Sequence, residues 1–430
     1  MEIVNTDNLV VLDKAFVWHP FTQMRNWTAE GHEPLLLVSG KGAWLQDRRG
    51  RRYLDGNSSI WTNIHGHRHP AINAALKSQL DRVAHTSFLG FTNPLAAELA
   101  ARLVALLPAS PLKKVFYSDD GSTGIEVAIK MAIQFFHQNG QPERIQFVSF
   151  ENAYHGDTLG ASSLGGIGLF HDRFRTHQFP VLRLKGIEDL DTVDGANVAA
   201  VVIEPLIQGS AGMRLWPQGM LRELRKWCDE HGAFLVFDEV MTGFGRTGKM
   251  FACMHEGVFP DFLVMAKGLT GGYLPLGATL TTQPVFEGFL GTYSELRTFF
   301  YGHSYTGNAL GCAAALANLL IFEEEQTLAA LEPKIVHLTN RLDALRASRF
   351  VREIRQCGFI AGIELGGANG EPLDWRAETG ARVCVAARDY GLLTRPIRDV
   401  IVLMLPLCVS KEEIDLAMDA IGKAIADVCR

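Results

Sequence analysis

Two apolar runs end in the residues with the most chemistry to offer. Phe234-Leu-Val-Phe is followed by Asp238, and Phe262-Leu-Val-Met-Ala by Lys267. Runs of this kind read as buried parallel strands, which deliver whatever follows them to the sheet edge where ligands bind. A carboxylate there needs a cationic partner, because an isolated charge is costly to bury. A lysine there is desolvated, which lowers its pKa and leaves a share of the amine neutral, the form that condenses with an aldehyde. Each has a plain alternative. Asp238 could cap a helix or pair with Arg246, and Lys267 could snorkel its amine to the surface. Side by side on adjacent strand ends, the two suit one cofactor, pyridoxal 5′-phosphate (PLP). Its aldehyde takes a lysine, and its ring nitrogen takes an acid that keeps the ring protonated as an electron sink.

A phosphate needs backbone donors. Ser118-Asp-Asp-Gly121-Ser122-Thr123-Gly124 lies between a predicted strand and a predicted helix, so Gly121 and Ser122 are candidates to hold it at a helix N-terminus. Ordinary N-capping by Ser or Asp explains the same residues. Tyr154, in Glu151-Asn-Ala-Tyr154-His155-Gly156-Asp157, is a candidate to stack on the cofactor ring, with a core aromatic as the alternative.

Two other motifs invite different chemistry. Gly243-Phe-Gly-Arg-Thr-Gly248-Lys249-Met250 imitates a P-loop, but Met250 stands where a magnesium-binding hydroxyl is required. His65-Gly-His67-Arg-His69 could be read as metal ligands, yet no acidic or thiol ligand adjoins them, and no metal site is expected.

The elements that must position these residues form an α/β architecture. Strands are predicted at Val115 to Ser118, Ile145 to Phe150, Ala199 to Ile203, Phe234 to Phe237 and Phe262 to Ala266. Between them lie helical stripes such as Ile125, Ala128, Ile129, Ala132 and Ile133, and Leu221, Leu224 and Cys228, which implies a mostly parallel sheet. Helices at Ala313 to Glu325 and Leu328 to Ser348, strands at Ile360 to Leu365 and Ile401 to Leu405, and a last helix from Lys411 suggest a small α+β domain. Residues 1–69 would supply its N-terminal segment and 316–430 the rest, around a large domain of 70–315. The net charge of −6 comes without a basic block, which argues against nucleic acid. No apolar stretch is long enough to span a bilayer, no basic leader precedes the first strand, and seven scattered cysteines form no CxxC. The expectation is a cytosolic enzyme with no membrane partner.

With these residues placed, the chain resembles the class III, fold type I aminotransferases over nearly its whole length. The resemblance implies that Lys267 is the Schiff-base lysine, Asp238 the partner of the ring nitrogen, and Val240 the residue packed on the ring face away from Tyr154. Within the class it is most similar to the 7,8-diaminopelargonate (DAPA) synthases of biotin biosynthesis. That likeness rests on Trp18-His-Pro-Phe-Thr22, Trp61-Thr-Asn-Ile-His65-Gly66, Tyr154-His-Gly-Asp157 and Thr394-Arg395-Pro396. It implies transfer of an amino group onto 8-amino-7-oxononanoate (KAPA). Arg395 would hold the substrate carboxylate and Asp157 would line the substrate channel. Gly302, His303 and Ser304 would reach the cofactor phosphate of the neighbouring subunit in a homodimer.

Phe21, Ile60 and Val402 depart from the pattern of family members that use S-adenosylmethionine (SAM). Phe21 stands for a tyrosine, Ile60 for a tryptophan before Trp61, and Val402 for a tyrosine. The chain is similar instead to a branch that uses lysine, through Gly302-His-Ser-Tyr-Thr-Gly-Asn308 and Leu393-Thr-Arg-Pro. SAM and lysine stay open as donors. Two other readings also stand: another ω-aminotransferase of the class, acting on a diamine, an ω-amino acid or ornithine, and a binding protein on the same scaffold that takes no PLP.

Overall fold

The computed structural model describes residues 6–429. Its centre is a seven-stranded sheet in the order Leu112–Ser118, Gly277–Thr282, Phe262–Met265, Phe234–Asp238, Val198–Ile203, Gln146–Phe150, Val181–Leu184. Gly277–Thr282 runs antiparallel to both neighbours, while the strands beyond it are parallel to one another. Two reversals cancel, so Leu112–Ser118 points the same way as the parallel set. Every residue of Val198–Ile203 is buried. Burial on both faces explains why the run is apolar without alternation.

The helix Gly121–Gln138 covers one face, burying Ile125, Ala128, Ile129 and Ala132. Ile133, expected on that stripe, is exposed, and Met131 and Phe136 are buried instead. Eight residues at 3.6 per turn leave Ile133 about 80° from Ile125, past the edge of the buried stripe. Met220–His231 buries Leu221, Leu224 and Cys228 as expected, with Trp227 beside them.

The chain's two ends interleave away from this sheet. Strands Leu37–Lys41, Trp44–Asp47 and Arg52–Asp55 form an antiparallel sheet that takes Leu392–Leu393 alongside Arg52–Asp55. A second antiparallel sheet joins Val351–Cys357, Ile360–Leu365, Val400–Leu403 and Pro396–Ile397. The helix Lys411–Val428 opens on a capping box, with Ser410 and Glu413 satisfying each other's backbone N–H groups. Among the described residues no helix is long and apolar enough to cross a membrane.

Candidate active site

Because the parallel strands and Leu112–Ser118 share a direction, their carboxyl ends meet at one edge of the sheet. The segments after them deliver Asp119 to Ser122, Tyr154 and His155, Glu204, Asp238 and Lys267 to a cavity of about 420 Å³. This is the crevice outside the strand ends that open α/β sheets use for ligands.

Asp238 sits in register with Val264, so it and Lys267 leave adjacent parallel strands. Its carboxylate accepts from His155 Nδ1 at 2.8 Å and from the Val240 backbone N–H at 3.1 Å. Arg246, the partner considered from sequence, lies elsewhere. It is fully buried and donates to the carbonyls of Leu405 and Asn63 and to Ser58 Oγ, and burial lowers its pKa to about 9. Lys267 is enclosed, and desolvation lowers its amine's pKa against the opposing pull of Asp238 and Glu204. The amine lies 4.9 Å from the centroid of the Trp61 ring. Its backbone stands at φ 43, a left-handed conformation that a non-glycine residue adopts only when its surroundings impose it.

Trp61 reaches the cavity through a stranger piece of backbone. Ser58, Ser59, Ile60 and Trp61 all have φ between 44 and 70. Side chains tie this left-handed turn down. Asp55 accepts from the Ser59 N–H and hydroxyl, Asn57 Oδ1 from Trp61 Nε1, and Ser58 Oγ donates to the Met404 carbonyl. Sequence pattern gives no sign of it, since no glycine marks the turn.

The loop at 118–124 caps a helix and faces the cavity. Asp120 caps the helix by accepting from Thr123 N, and Gly121 and Ser122 form its first turn and line the cavity. First-turn N–H groups lack intrahelical acceptors, so this end is built for an anion. A Cβ on Gly121 would lie 2.7 Å from Val240 Cγ1, so the glycine also lets Val240 stand at the cavity wall.

Tyr154 lines the cavity, and its hydroxyl donates to Asp157 at 2.7 Å. Asp157 itself is exposed and lines neither cavity, touching the site through Tyr154. Gly302, His303 and Ser304 also lie outside the chain's own cavity, where His303 pairs with Asp119 at 3.0 Å. A second, outer cavity of about 1050 Å³ continues the first past Trp61, Tyr154 and Lys267, and it brings in Phe21, Ile60, Arg395 and Val402.

Sequence reasoning passed over two groups. His155 has no role in the sequence pattern, yet it is the buried partner of Asp238, with Nε2 unpartnered among the described residues. Glu204 was missed, although it follows an apolar strand as Asp238 does. It accepts from Tyr154 N and Gly209 N, and burial pushes its carboxyl up to about 7. The histidines at 65–69 disperse. His65 packs on Phe322, with burial lowering its pKa to about 3, while His67 pairs with Asp55 and His69 with Glu325. Among the described residues no group could hold a metal ion. The P-loop imitation is a chain of turns whose Lys249 amine donates to the Met254 carbonyl.

The chain is similar to known proteins over nearly its whole length. The family model described as Aminotransferase class-III matches residues 27–425. The adenosylmethionine-8-amino-7-oxononanoate aminotransferase of Geobacter sulfurreducens is 47% identical, over 99% of this chain and 98% of its own. The crystal structure of the enzyme of that name from Methanocaldococcus jannaschii superposes with a TM-score of 0.95 at 39% identity, covering 99% of this chain and 100% of its own. An omega transaminase from Pseudomonas jessenii, solved in complex with PMP, gives a TM-score of 0.92 at 27% identity over 98% of each chain.

Proposed function

We propose a reaction for a chain that belongs to the class III aminotransferases: transfer of an amino group onto KAPA to give DAPA, a step of biotin biosynthesis. The observation that carries it is the pairing of a desolvated Lys267 with a hydrogen-bonded Asp238 in one cavity, at the strand ends. Near full-length identity to relatives named for that substrate supports the acceptor.

The class works with PLP, and the inner cavity fits it, having a helix N-terminus at one end and an acid and an amine at the other. Bound there, the cofactor would supply an aldehyde that exchanges amines and a cationic ring that accepts an electron pair. Lys267 Nζ would hold that aldehyde between turnovers, then take a proton from the donor carbon and return one to the acceptor carbon. Asp238, steadied by His155, would keep the ring nitrogen protonated. Gly121 and Ser122 would take the phosphate, while Tyr154 and Val240 would flank the ring. Arg395 would hold the KAPA carboxylate, with Trp61 and Phe21 along the chain between. Asp157 would act by fixing the Tyr154 hydroxyl.

Gly302, His303 and Ser304, which leave this chain's own cavity, would serve a second copy in a homodimer. A cytosolic location is supported by cysteines that are all free. Borohydride reduction of the PLP-loaded protein, followed by peptide mapping, should find the pyridoxyl group on Lys267. A label on another lysine, or on none, would overturn the assignment.

A further inference from the structure

The segment 243–249, which imitates a P-loop, contains a costly group. Arg246 is 1% exposed and lines neither cavity. A guanidinium so deep ordinarily faces a carboxylate. Arg246 is in no ion pair among the described residues, although Asp55 helps to hold its charge from a distance. Its donors go instead to Ser58 Oγ and to the carbonyls of Asn63 and Leu405, and its Nε has no partner among the described residues. With a pKa of about 9 it is still a cation at neutral pH. A cation buried on such terms is unfavourable unless it does something that a cheaper residue cannot.

Its acceptors show what it holds. Ser58 and Asn63 bracket the left-handed turn that carries Trp61, and Leu405 follows the strand Val400–Leu403. The carbonyl of Arg246 also accepts from Phe359 N at 2.9 Å, so one residue joins distant stretches of the chain. Its neighbours pack as closely. Gly245 stands at φ 85, where a Cβ would lie 2.8 Å from Leu407 Cδ1. A Cβ on Gly268, the residue after Lys267, would lie 3.0 Å from Phe244 Cβ. The glycines that suggest a phosphate loop thus serve close contact between chain segments. One side of the loop abuts the turn that begins at Lys267, and the other grips the turn whose Trp61 ring lies 4.9 Å from Lys267 Nζ.

That ring acts on the amine in two opposed ways. Its face attracts a cation, which favours the protonated form by roughly tenfold. Its bulk keeps water away, which disfavours a fully buried ammonium by roughly a thousandfold or more. Exclusion of water wins. Burial is the largest influence on the Lys267 amine and lowers its pKa, Asp238 and Glu204 oppose it, and the charge of Arg246 adds to the lowering. Tyr154 and His155 complete the polar groups beside it in the cavity.

We propose that Arg246 is a positioning residue for Lys267: by clamping the turn at 58–63 it holds the Trp61 ring over the amine and keeps water from it. This role rests on the reading of Lys267 as the reacting amine. An amine kept dry stays neutral in larger share, and only the neutral form attacks a carbonyl.

The test reads the free amine without turnover. Full-length protein without cofactor is labelled with trace acetic anhydride from about pH 6 to 11, and peptide mapping compares Lys267 with the exposed Lys226. The pH of half-labelling should lie lower for Lys267 than for Lys226. Arg246→Lys keeps the charge but cannot grip three acceptors at once, so the Lys267 midpoint should rise by about one pH unit. Trp61→Ala should raise it as well, and Arg246→Lys added to Trp61→Ala should move it little further, because the ring being positioned is gone. An unmoved midpoint in folded Arg246→Lys, a fall in Trp61→Ala, or an equal rise with and without the ring overturns the clamp and leaves the reading of Lys267 standing. Should Arg246→Lys fail to unfold cooperatively, Ser58→Ala takes its place, alone and with Trp61→Ala. It removes only the hydroxyl that Arg246 grips and that ties the turn to Met404. Its midpoint should rise too, by less, and an unmoved value overturns the clamp. A parent midpoint equal to that of Lys226, or no label on Lys267, overturns the reading of Lys267 and the clamp with it.

Discussion

Glu204 and Asp238 are carboxylates at the ends of adjacent strands, and their surroundings give them different work. Asp238 meets a histidine N–H and a backbone N–H, the donors an anion needs to face a cationic ring. An amide cannot fill that role, so Asp238→Asn should still bind PLP while kcat falls on the order of a hundredfold or more. Near-normal turnover in saturating substrate would remove Asp238 from the mechanism. Glu204 has only backbone donors and lies wholly buried, and burial raises its carboxyl from 4.5 to about 7. Between those values the folded chain holds a proton that the unfolded chain has released. Its contribution to stability is therefore complete below about pH 4.5 and is lost as the pH climbs to about 7. The loss amounts to about 3 kcal/mol. Glu204→Gln carries no titrating group, so unfolding free energies measured from pH 5 to 8 should lose that share of their downward slope. Any fixed cost of the amide shifts the level and not the slope. An unchanged slope would mean that Glu204 titrates normally.

At the scale of elements, what was legible followed from burial. Strands buried on both faces, such as Val198–Ile203 and Phe234–Asp238, show as unbroken apolar runs, and Asp238 is legible with its run, whereas Glu204 after Val198–Ile203 is not, because no cofactor partner points to it. Gly277–Thr282 escaped because three of its six residues are threonines, and those at 279 and 281 donate to the carbonyls of Gly124 and Asp261, breaking the apolar signal. The left-handed turn at 58–61 escaped for a deeper reason: specific side-chain ties hold it, local ones to Asp55 and Asn57 and one to Met404 far along the chain, and no local residue preference predicts it. Those ties carry a cost. A β-branched residue at φ 70, as at Ile60, costs about 1–2 kcal/mol. Ile60 is 44% exposed, so its side chain recovers little of that by packing. Ile60→Gly should therefore stabilise the protein by roughly 0.5–1 kcal/mol despite the lost apolar group, readable as a raised Tm. A lowered Tm would show that the side chain packs to more effect than its exposure suggests. The same ties explain why Trp61, held by Asn57, can present its ring to Lys267.

At the scale of the whole molecule, a set of exposed apolar side chains remains unaccounted for by a single chain. Leu89 and Phe91 are 82% and 69% exposed, and Tyr293, Phe300 and Tyr305 are 97%, 71% and 60% exposed. Single exposed apolar residues are ordinary, but so many large ones on two short segments mark an interaction surface. The second segment runs into Gly302–Ser304, residues that line neither cavity of their own chain. The proposed pair of chains, each lending its 302–304 loop to the other's phosphate end, would account for both observations. Association and cofactor affinity should then fail together. Phe300→Asp places a charge on the apolar segment, well away from Lys267 and Asp238 in sequence and outside both cavities. Light scattering should show two copies for the parent protein and a shift to one for the variant. PLP affinity, followed by absorbance, should drop roughly tenfold or more, the loss expected when two or so hydrogen bonds to a phosphate are removed. A monomeric variant that kept its PLP affinity would separate the two observations and leave Gly302–Ser304 without a part in the site.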